Sequence, residues 1–323
     1  MKRLFLFGLT AALTACGGGG DDSASDAKMS LAFSDAPVDA AKRVCIAVSQ
    51  VSIHPISGAE TAWSSKSFLD ASQDDGCTPP GESIPLNADG SPRFVYIDLL
   101  KYQGSASRNL LAGQTVSAGE YSQMRLTVLD GRAVTNQFDD GTPYSYVQQD
   151  DDTIKPLEVP SSQLKLDAFT ITAGGTSSFT TEFDLRQALV LPGHEAYYKL
   201  KPRGVRLVNN TQVATLKGSV EGSLCAGALA DQAAVYLYAP RSDDAYPDMA
   251  DTDNGFYASA PVVNDGAGGY RYELGFVELG NYDVALVCNA TEDDPAVSGD
   301  PLDLERTLKA QTVTAPTTTL NLE

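Results

Sequence analysis

Hydrophobic and polar residues alternate along most of this chain with the period of two that is typical of half-buried β-strands. The alternation is clearest in residues 44–49, 124–128 and 179–185. Further candidate strands lie at residues 31–33, 94–99, 144–147, 164–172, 197–208, 213–220, 235–238, 270–275, 282–287 and 312–322. Helical periodicity is weak, and a short turn at 185–190 is its best candidate. Many short strands separated by Gly, Pro, Asp and Asn turns predict an all-β fold built from Ig-like or transthyretin-like β-sandwiches.

The strand pattern is interrupted once in a way that indicates a domain boundary. A long strand ends at Asn209-Asn210-Thr211, and a new alternating segment begins at Val213. We therefore predict two sandwiches in tandem, at residues 28–208 and 213–323, with a linker at 209–212. A short repeated motif relates the two parts. Ala118-Gly119-Glu120-Tyr121 and Leu279-Gly280-Asn281-Tyr282 each lead into a predicted strand. The glycine of such a turn can supply a positive φ, and the tyrosine can bury its ring while its hydroxyl finds a partner.

The N-terminus has the pattern of an export signal. Lys2 and Arg3 precede an apolar run that ends at Ala15. About 12 apolar residues span only about 18 Å as a helix, short of the hydrocarbon core of about 30 Å, so residues 1–15 are predicted to be a signal peptide. Leu13-Thr14-Ala15-Cys16 resembles the lipobox of bacterial lipoproteins. The resemblance implies that Cys16 carries two or three acyl chains, which anchor a protein stably to a membrane.

Residues 16–27 contain four glycines followed by Asp, Ser and Ala, and we find no apolar residue there able to join a core. This composition predicts a flexible tether with a span of about 20 Å. Gly17 stands where aspartate retains enteric lipoproteins at the inner membrane. We therefore expect an outer-membrane lipoprotein, with periplasmic and surface-facing orientations both open.

The net charge limits the partners of the exported protein. The chain has 42 acidic and 23 basic side chains, a formal charge of −19, which becomes −21 once Lys2 and Arg3 leave with the signal. Nucleic acids and anionic lipid surfaces are bound through basic faces. The predicted partners are therefore the membrane, through Cys16, and an envelope protein or glycan, but no nucleic acid.

Cys45, Cys77, Cys225 and Cys288 remain after Cys16 is lipidated. An even number of cysteines in an exported chain predicts disulfides. Of the three connectivities, the pairing of Cys45 with Cys77 and of Cys225 with Cys288 stays within the predicted domains. A bond between domains would mean that the boundary is misplaced.

No catalytic motif is found in the sequence, so we predict a protein that is not an enzyme. The histidines are His54 and His194, and both are expected in surface loops, outside any HExxH motif; GxSxG and P-loop motifs are also missing. Carboxylates are abundant, yet nothing singles out a glycosidase pair. Asp35 and Asp39 in SDAPVD are assigned a structural role, with Asp35 capping its own turn.

Asp248, Asp251 and Asp253 crowd into DMADTDNG, where a calcium site is conceivable because hard cations take several oxygen ligands from one loop. The EF-hand pattern fails, since counting from Asp251 puts Gly255 fifth and Val262 at the place of the bidentate glutamate. We therefore predict no metal site but a solvated, extended acidic loop. If the chain does take a cofactor, it is calcium on those three aspartates.

Several stretches of the first predicted domain resemble a known family. The run SDAPVDAAKRVCIAVSQVSIHP, followed by YIDLL, GEYSQMRLTV and YYKLKPRGVRLV, is similar to an uncharacterised bacterial lipoprotein domain, domain-of-unknown-function family 4382. The resemblance implies export and a lipid anchor, and it brings no assigned reaction. Residues 213–323 resemble carboxypeptidase-regulatory-like or transthyretin-like sandwiches through LKGSV, GYRY and LGNY. Such modules are usually accessory, and the Cys225 and Cys288 pair departs from their pattern.

These features together predict a lipid-anchored envelope protein that acts as a non-catalytic binding, adhesion or structural module. One alternative is an accessory or hydrolytic component of a surface polysaccharide system, and another is a calcium-dependent adhesion module. Exposed aromatic residues would favour glycan binding, for which Tyr236, Tyr238, Tyr246 and Tyr257 are the candidates. Two carboxylates facing each other across a groove would favour hydrolysis.

Overall fold

The computed structural model describes residues 26–36, 41–193, 195–251 and 255–323, except for the side chain of Asp231. Strands dominate this part of the chain, and the protein is an all-β sandwich protein. The signal peptide, Cys16 and most of the predicted tether lie outside the described residues, as do Asp39, His194 and Asp253.

The strands up to residue 209 are β1 (Asp26–Ala36), β2 (Ala41–Pro55), β3 (Thr61–Ser64), β4 (Val95–Asp98), β5 (Arg108–Ser117), β6 (Gly119–Val128), β7 (Tyr146–Gln149), β8 (Ile154–Glu158), β9 (Gln163–Leu166), β10 (Phe169–Ile171), β11 (Thr176–Asp184), β12 (Leu189–Val190), β13 (Tyr198–Leu200) and β14 (Val205–Asn209). The later strands are β15 (Val213–Val220), β16 (Ala234–Tyr238), β17 (Phe256–Pro261), β18 (Val263–Asn264), β19 (Tyr270–Glu278), β20 (Gly280–Val287), β21 (Leu304–Val313) and β22 (Thr317–Thr319). The helices are α1 (Leu185–Ala188) and α2 (Leu229–Gln232), with 3-10 turns at Ser65–Ser67, Leu99–Lys101, Pro160–Ser162, Leu224–Gly227 and Ala290–Glu292.

The strands before residue 210 form the first sandwich. One of its sheets has the order β14-β11-β1-β5, and the other has the order β10-β6-β2-β7-β8-β13-β12. β3 and β4 also pair with β2, and β9 pairs with β6. Apolar side chains from both sheets make the core, and Met29, Leu31 and Phe33 of β1 lie fully buried in it. The alternation of the sequence therefore corresponds to the inward faces of real strands.

β1 begins earlier than the predicted tether allows. Asp26 and Ala27 pair with Ser117 and Val116 of β5, and Ala27 is buried. The prediction of a free tether up to residue 27 is therefore wrong for its last two residues. Ala27 is small enough to enter the core, and the ladder with β5 satisfies its backbone.

The strands from residue 213 onwards form the second sandwich. Its sheets have the orders β18-β19-β15-β22 and β17-β16-β20-β21. Leu216, Val235, Val284 and Leu286 are buried at the centre of its core. Within the described residues no strand pairs across the segment between Asn209 and Val213.

The two glycine-tyrosine turns noted in the sequence occupy equivalent places in the two sandwiches. Tyr121 near the start of β6 donates its hydroxyl to the carbonyl of Ser117 at 2.7 Å, and Tyr282 near the start of β20 donates to Glu278 at 2.9 Å. Each tyrosine thus ties a strand to the residue four positions before it, across the turn that connects the two sheets of its sandwich. Gly119 has a φ of 140°, as its turn requires.

Both predicted disulfides are formed, Cys45–Cys77 in the first sandwich and Cys225–Cys288 in the second. The sulfurs of the first pair are buried in an aromatic cluster that includes Phe94. Among the described residues, no helix is long and apolar enough to cross a membrane.

Candidate functional site

The most unusual chemistry of the described residues lies where the two sandwiches meet, on the outward face of β11. Successive side chains of a strand point to opposite faces, so Phe179 and Phe183 enter the first core. Glu182 and Asp184 then point outward, and they are nevertheless only 3% and 0% exposed. The second sandwich covers them, as their contacts show. We call this contact region the junction.

Asp184 connects the two sandwiches through one carboxylate. It caps α1 by accepting the N–H of Gln187 at 3.3 Å. It also accepts the N–H of Ser259 in β17 at 2.7 Å and the Ser259 hydroxyl at 3.1 Å. Burial raises the pKa of Asp184, and Arg206 and the Ser259 hydrogen bonds offset part of that increase. The same side chain therefore begins a helix in the first sandwich and holds a strand of the second.

Glu182 and Arg206 form a buried ion pair beside Asp184, with Arg206 Nη2 2.7 Å from Glu182 Oε2. Arg206 also donates Nη1 to the carbonyl of Tyr257 in β17, and its guanidinium carbon lies 4.4 Å from the centre of the Tyr257 ring. Burial raises the pKa of Glu182 to about 7, although Arg206 acts to lower it. Burial by itself would lower the pKa of Arg206, but the charge of Glu182, together with Tyr257, Asp184 and Glu278, outweighs burial and raises it.

Further contacts extend the junction on both sides of this pair. From α1, Arg186 donates to the carbonyl of Ala290 at 2.6 Å, and Gln187 donates to the carbonyl of Met249 at 3.1 Å. On another side of the junction, Glu273 of β19 accepts the N–H of Ser105 at 3.0 Å. The junction is therefore a continuous polar interface that fixes one sandwich against the other.

Asp35 lies in β1 on the core side of the same region and is 1% exposed. Neither of its carboxyl oxygens has a hydrogen-bond partner of normal geometry. Burial raises the pKa of Asp35 well above its ordinary value, and the charges of Glu182, Asp184 and Asp98 raise it further; the N–H of Leu185 lowers it to a smaller extent. Burial therefore disfavours the charged form of Asp35 in the folded protein. The prediction that it caps its own turn is wrong, because Asp35 is a strand residue paired with β11.

The acidic loop between β16 and β17 is solvated only in part, because Asp243 and Asp244 are exposed as the sequence predicted, whereas Asp248 is not. Asp248 is only 4% exposed. Its Oδ1 accepts the N–H groups of Ala250 and Asp251, both at 3.0 Å, while its Oδ2 accepts those of Gly299 and Asp300. Asp248 thereby ties this loop to the one between β20 and β21. As a calcium ligand it would have to give up four backbone hydrogen bonds, so its assignment as a weak metal candidate is not supported by its geometry.

Neighbouring carboxylates of that loop are neutralised by cations rather than repelling one another. Arg241 pairs with Asp243 at 2.9 Å, and Lys309 pairs with Asp244 at 3.0 Å. The described residues, Asp248 and Asp251 among them, contain no group of three His, Cys, Asp or Glu side chains arranged to hold a metal.

The tyrosines proposed for glycan binding do not form an exposed platform. Tyr236 and Tyr238 are both 0% exposed, and their hydroxyls donate to Asp293 and to the carbonyl of Pro247. Tyr246 donates to Asp283 at 2.9 Å, and Tyr257 belongs to the junction. The glycan-binding hypothesis for these residues is therefore not supported. Tyr236 and Tyr238 are ordinary buried sheet residues, covered on both sides of β16, and Tyr246 and Tyr257 are half-buried.

His54 is also placed differently from the prediction. It belongs to the end of β2, and its side chain is only 19% exposed. Its Nε2 lies 3.3 Å from a carboxyl oxygen of Glu60. His54 is therefore a strand residue with an acidic neighbour and not a surface loop residue.

The sequence reasoning did not identify Glu182, Asp184 or Arg206. A signal for the first two was available in the stretch SFTTEFDL, where acidic residues alternate with phenylalanines. The alternation by itself predicts a strand with one buried and one solvated face. That interpretation is correct for a lone sandwich but fails where a second sandwich covers the outer face.

Comparison with solved structures gives only distant likenesses. This chain is 10% identical to the Bacillus anthracis TIE protein with a TM-score of 0.19, and the match covers 92% of this chain but 34% of the TIE protein. A candidate cell adhesion protein from Parabacteroides distasonis is 9% identical with a TM-score of 0.18, covering 90% and 84% of the two chains. The major pilin of Streptococcus pyogenes is 11% identical with a TM-score of 0.16, covering 91% and 96%. This chain thus spans about a third of the TIE protein, and at such TM-scores none of the likenesses carries an argument.

Sequence comparison is more informative for the first sandwich. A search of curated proteins finds no match. The model of the family described as domain of unknown function DUF4382 matches residues 26–202, which is more than half of the chain. These residues contain β1 to β13, Asp35 and the acidic side of the junction. The chain is therefore a member of the DUF4382 family.

Proposed function

We propose that this protein is a lipid-anchored, non-catalytic module of the cell envelope, in which a rigid pair of sandwiches presents a binding or adhesion surface away from the membrane. The observation that carries the proposal is the junction. Its charged groups are buried and contact one another and the backbone of the facing sandwich, as in the contacts of Asp184 with Ser259 and of Arg206 with Glu182. Buried groups satisfied in this way stabilise a geometry rather than react with a substrate.

Several features support this function over a hydrolytic one. The buried carboxylates Asp35, Glu182 and Asp184 do not face each other across an open groove, because the core covers the first and the second sandwich covers the other two. Disulfides in both sandwiches suit an exported, mechanically stable module. The resemblance of residues 213–323 to carboxypeptidase-regulatory-like sandwiches also favours an accessory role.

The anchor is tested by Cys16→Ser, because the thiol is the acceptor for lipid in the lipobox. We expect the variant to be released into the soluble fraction, while the wild-type protein stays with outer-membrane vesicles. Mass spectrometry of the mature wild-type protein should show two or three acyl chains on its first residue. An unmodified cysteine would contradict the anchor.

The non-catalytic role is tested with the released Cys16→Ser protein. Immobilised on beads, it should retain a specific component of envelope extracts in a saturable manner. Incubated with the polysaccharide fraction of the same extracts, it should produce no new reducing ends. Turnover that disappears in Glu182→Gln or Asp184→Asn, with the fold intact by circular dichroism, would overturn the proposal and favour the hydrolytic alternative.

A further inference from the structure

A shallow polar groove runs along the outer face of β19 and β15 and ends at the junction. It consists of two depressions that share Arg271 and Glu273 as walls. One has a volume of about 290 Å³ and reaches Gln103 and Gly104 of the first sandwich. The other has a volume of about 370 Å³ and lies over the sheet, with Lys217 on its floor. Each is close in size to the lower limit of sites for small ligands.

Fixed contacts hold the groove in shape. Glu273 accepts the N–H of Ser105 at 3.0 Å and so joins the wall of the second sandwich to the loop of the first. Gly275 allows that approach, since a Cβ at this position would lie 1.9 Å from the carbonyl oxygen of Gly104. At the other end, Asn321 accepts the N–H of Ser219 at 3.1 Å. The groove is therefore preformed, which reduces the entropy cost of binding.

The side chains of the groove offer both hydrogen-bond donors and acceptors. Strand alternation buries Leu216 and Tyr272, so that Lys217, Ser219 and Arg271 point outward. Lys217 and Arg271 are exposed, and neither forms an ion pair with another described residue. Ammonium and guanidinium groups supply donors only, whereas carboxylates accept and hydroxyls do both.

The charges within the groove balance, although the whole chain is strongly acidic. Lys217 and Arg271 are matched by Asp265 and Glu273, both of which already accept backbone N–H groups. A neutral ligand with many hydroxyl groups fits this surface, because each hydroxyl donates and accepts and none carries charge. An acidic ligand would instead meet two carboxylates and the negative field of the protein.

We propose that this groove binds a neutral glycan segment, with Lys217 and Arg271 donating to sugar oxygens and Glu273 and Asp265 accepting from sugar hydroxyls. The proposal rests on the proposed function as a binding module, and it names the class of ligand. Of the tyrosines that the sequence offered for this role, Tyr236 and Tyr238 are buried and Tyr246 and Tyr257 are half-buried. The groove lies on the opposite sheet of the same sandwich.

The test measures binding of the full chain carrying Cys16→Ser to defined hexamers by isothermal titration calorimetry. The probes are maltohexaose, mannohexaose and laminarihexaose as neutral glycans, hexagalacturonate as an acidic glycan and hexaglutamate as an acidic peptide. The groove variant is Lys217→Met with Arg271→Met. Its matched control, Lys165→Met with Arg306→Met, removes the same charge from exposed positions on β9 and β21.

We expect at least one neutral hexamer to bind, with an affinity that falls about tenfold or more in the groove variant and less than twofold in the control. Binding of none of the neutral hexamers, tighter binding of hexagalacturonate or hexaglutamate, or equal losses in both variants would overturn the glycan assignment. If the groove variant still retains the envelope component in the bead assay, the proposed function stands without this site. If the Cys16→Ser protein with an intact groove retains nothing in the bead assay but binds a neutral hexamer, the groove stands and the envelope-partner function fails.

Discussion

Replacing Arg206 by methionine removes the cation of the buried pair while keeping much of its apolar volume. The remaining carboxylate is Glu182, whose pKa is about 7 in the folded protein against an ordinary value of 4.5. A carboxyl group with a raised pKa binds its proton more tightly in the folded state, so its ionisation destabilises the fold as the pH rises. In the wild-type protein this loss occurs between pH 4.5 and 7 and amounts to about 3 kcal/mol before it levels off.

In Arg206→Met the charge that lowers the pKa of Glu182 is gone, so the pKa rises further. The free energy of unfolding should then continue to fall above pH 7, by about 1.4 kcal/mol per pH unit. Near pH 5 the titration of Glu182 should add almost nothing to the difference in the free energy of unfolding between Arg206→Met and the wild type. At pH 9 it should add about 2.7 kcal/mol, if the pKa of Glu182 in the variant exceeds 9. Arg206 also lowers the pKa of Asp184, so the loss of Arg206 makes the free energy of unfolding fall with pH through Asp184 as well.

The measurement is urea unfolding followed by far-ultraviolet circular dichroism between pH 5 and 9, with the disulfides intact. The double variant Glu182→Gln with Arg206→Met is the control, because it has neither charge of the pair. It should be more stable than Arg206→Met at pH 9 and should lack the steep decline above pH 7. Parallel curves for the single variant and the wild type, or a double variant no more stable than the single one at pH 9, would refute the reasoning.

Four further predictions concern stability. Gly275→Ala should lower it by about 1–3 kcal/mol, because its Cβ would meet the first sandwich at 1.9 Å, whereas Gly175→Ala, with open space around it, should change the thermal midpoint little. Cys225→Ala with Cys288→Ala opens a loop of 63 residues and should cost about 4 kcal/mol in chemical unfolding; an unchanged midpoint would contradict this. Asp248→Ala should lower the melting temperature by scanning calorimetry, since it leaves four backbone N–H groups unsatisfied. Micromolar calcium should not raise the melting temperature of the wild-type protein, and a saturable rise that sodium does not reproduce would restore the calcium site.

The local pattern of the sequence was sufficient to predict strands and the short helix. Period-two alternation predicted strands that the structure contains, such as β6 and β15, and the weak helical signal at 185–190 corresponds to α1. Cysteine parity and export predicted disulfides, which are present. These features depend on neighbours along the chain or on a count, and both can be read without coordinates.

The function of each polar residue depended on which surface covers it. Asp248 looked solvated in the sequence, but backbone N–H groups from two loops surround its carboxylate. Tyr236 and Tyr238 were candidates for glycan binding from the sequence, yet side chains cover both faces of β16. Sequence alternation reports that the two faces of a strand differ, but it does not report what packs against the polar face.

The sequence by itself therefore determined the fold class, the strands, the disulfides and the lipoprotein hypothesis, because these follow from composition and short-range pattern. Only the tertiary structure decided which carboxylates are buried, how Glu182, Asp184 and Arg206 join the sandwiches, and where Lys217 and Arg271 share a groove. Arg206 pairs with Glu182 across neighbouring strands of one sheet, whereas Asp184 and Ser259 are 75 residues apart and meet only when the two separate sandwiches dock. Periodicity along the chain cannot predict that docking, because the docking depends on the shapes and polar surfaces of sheets that are already folded.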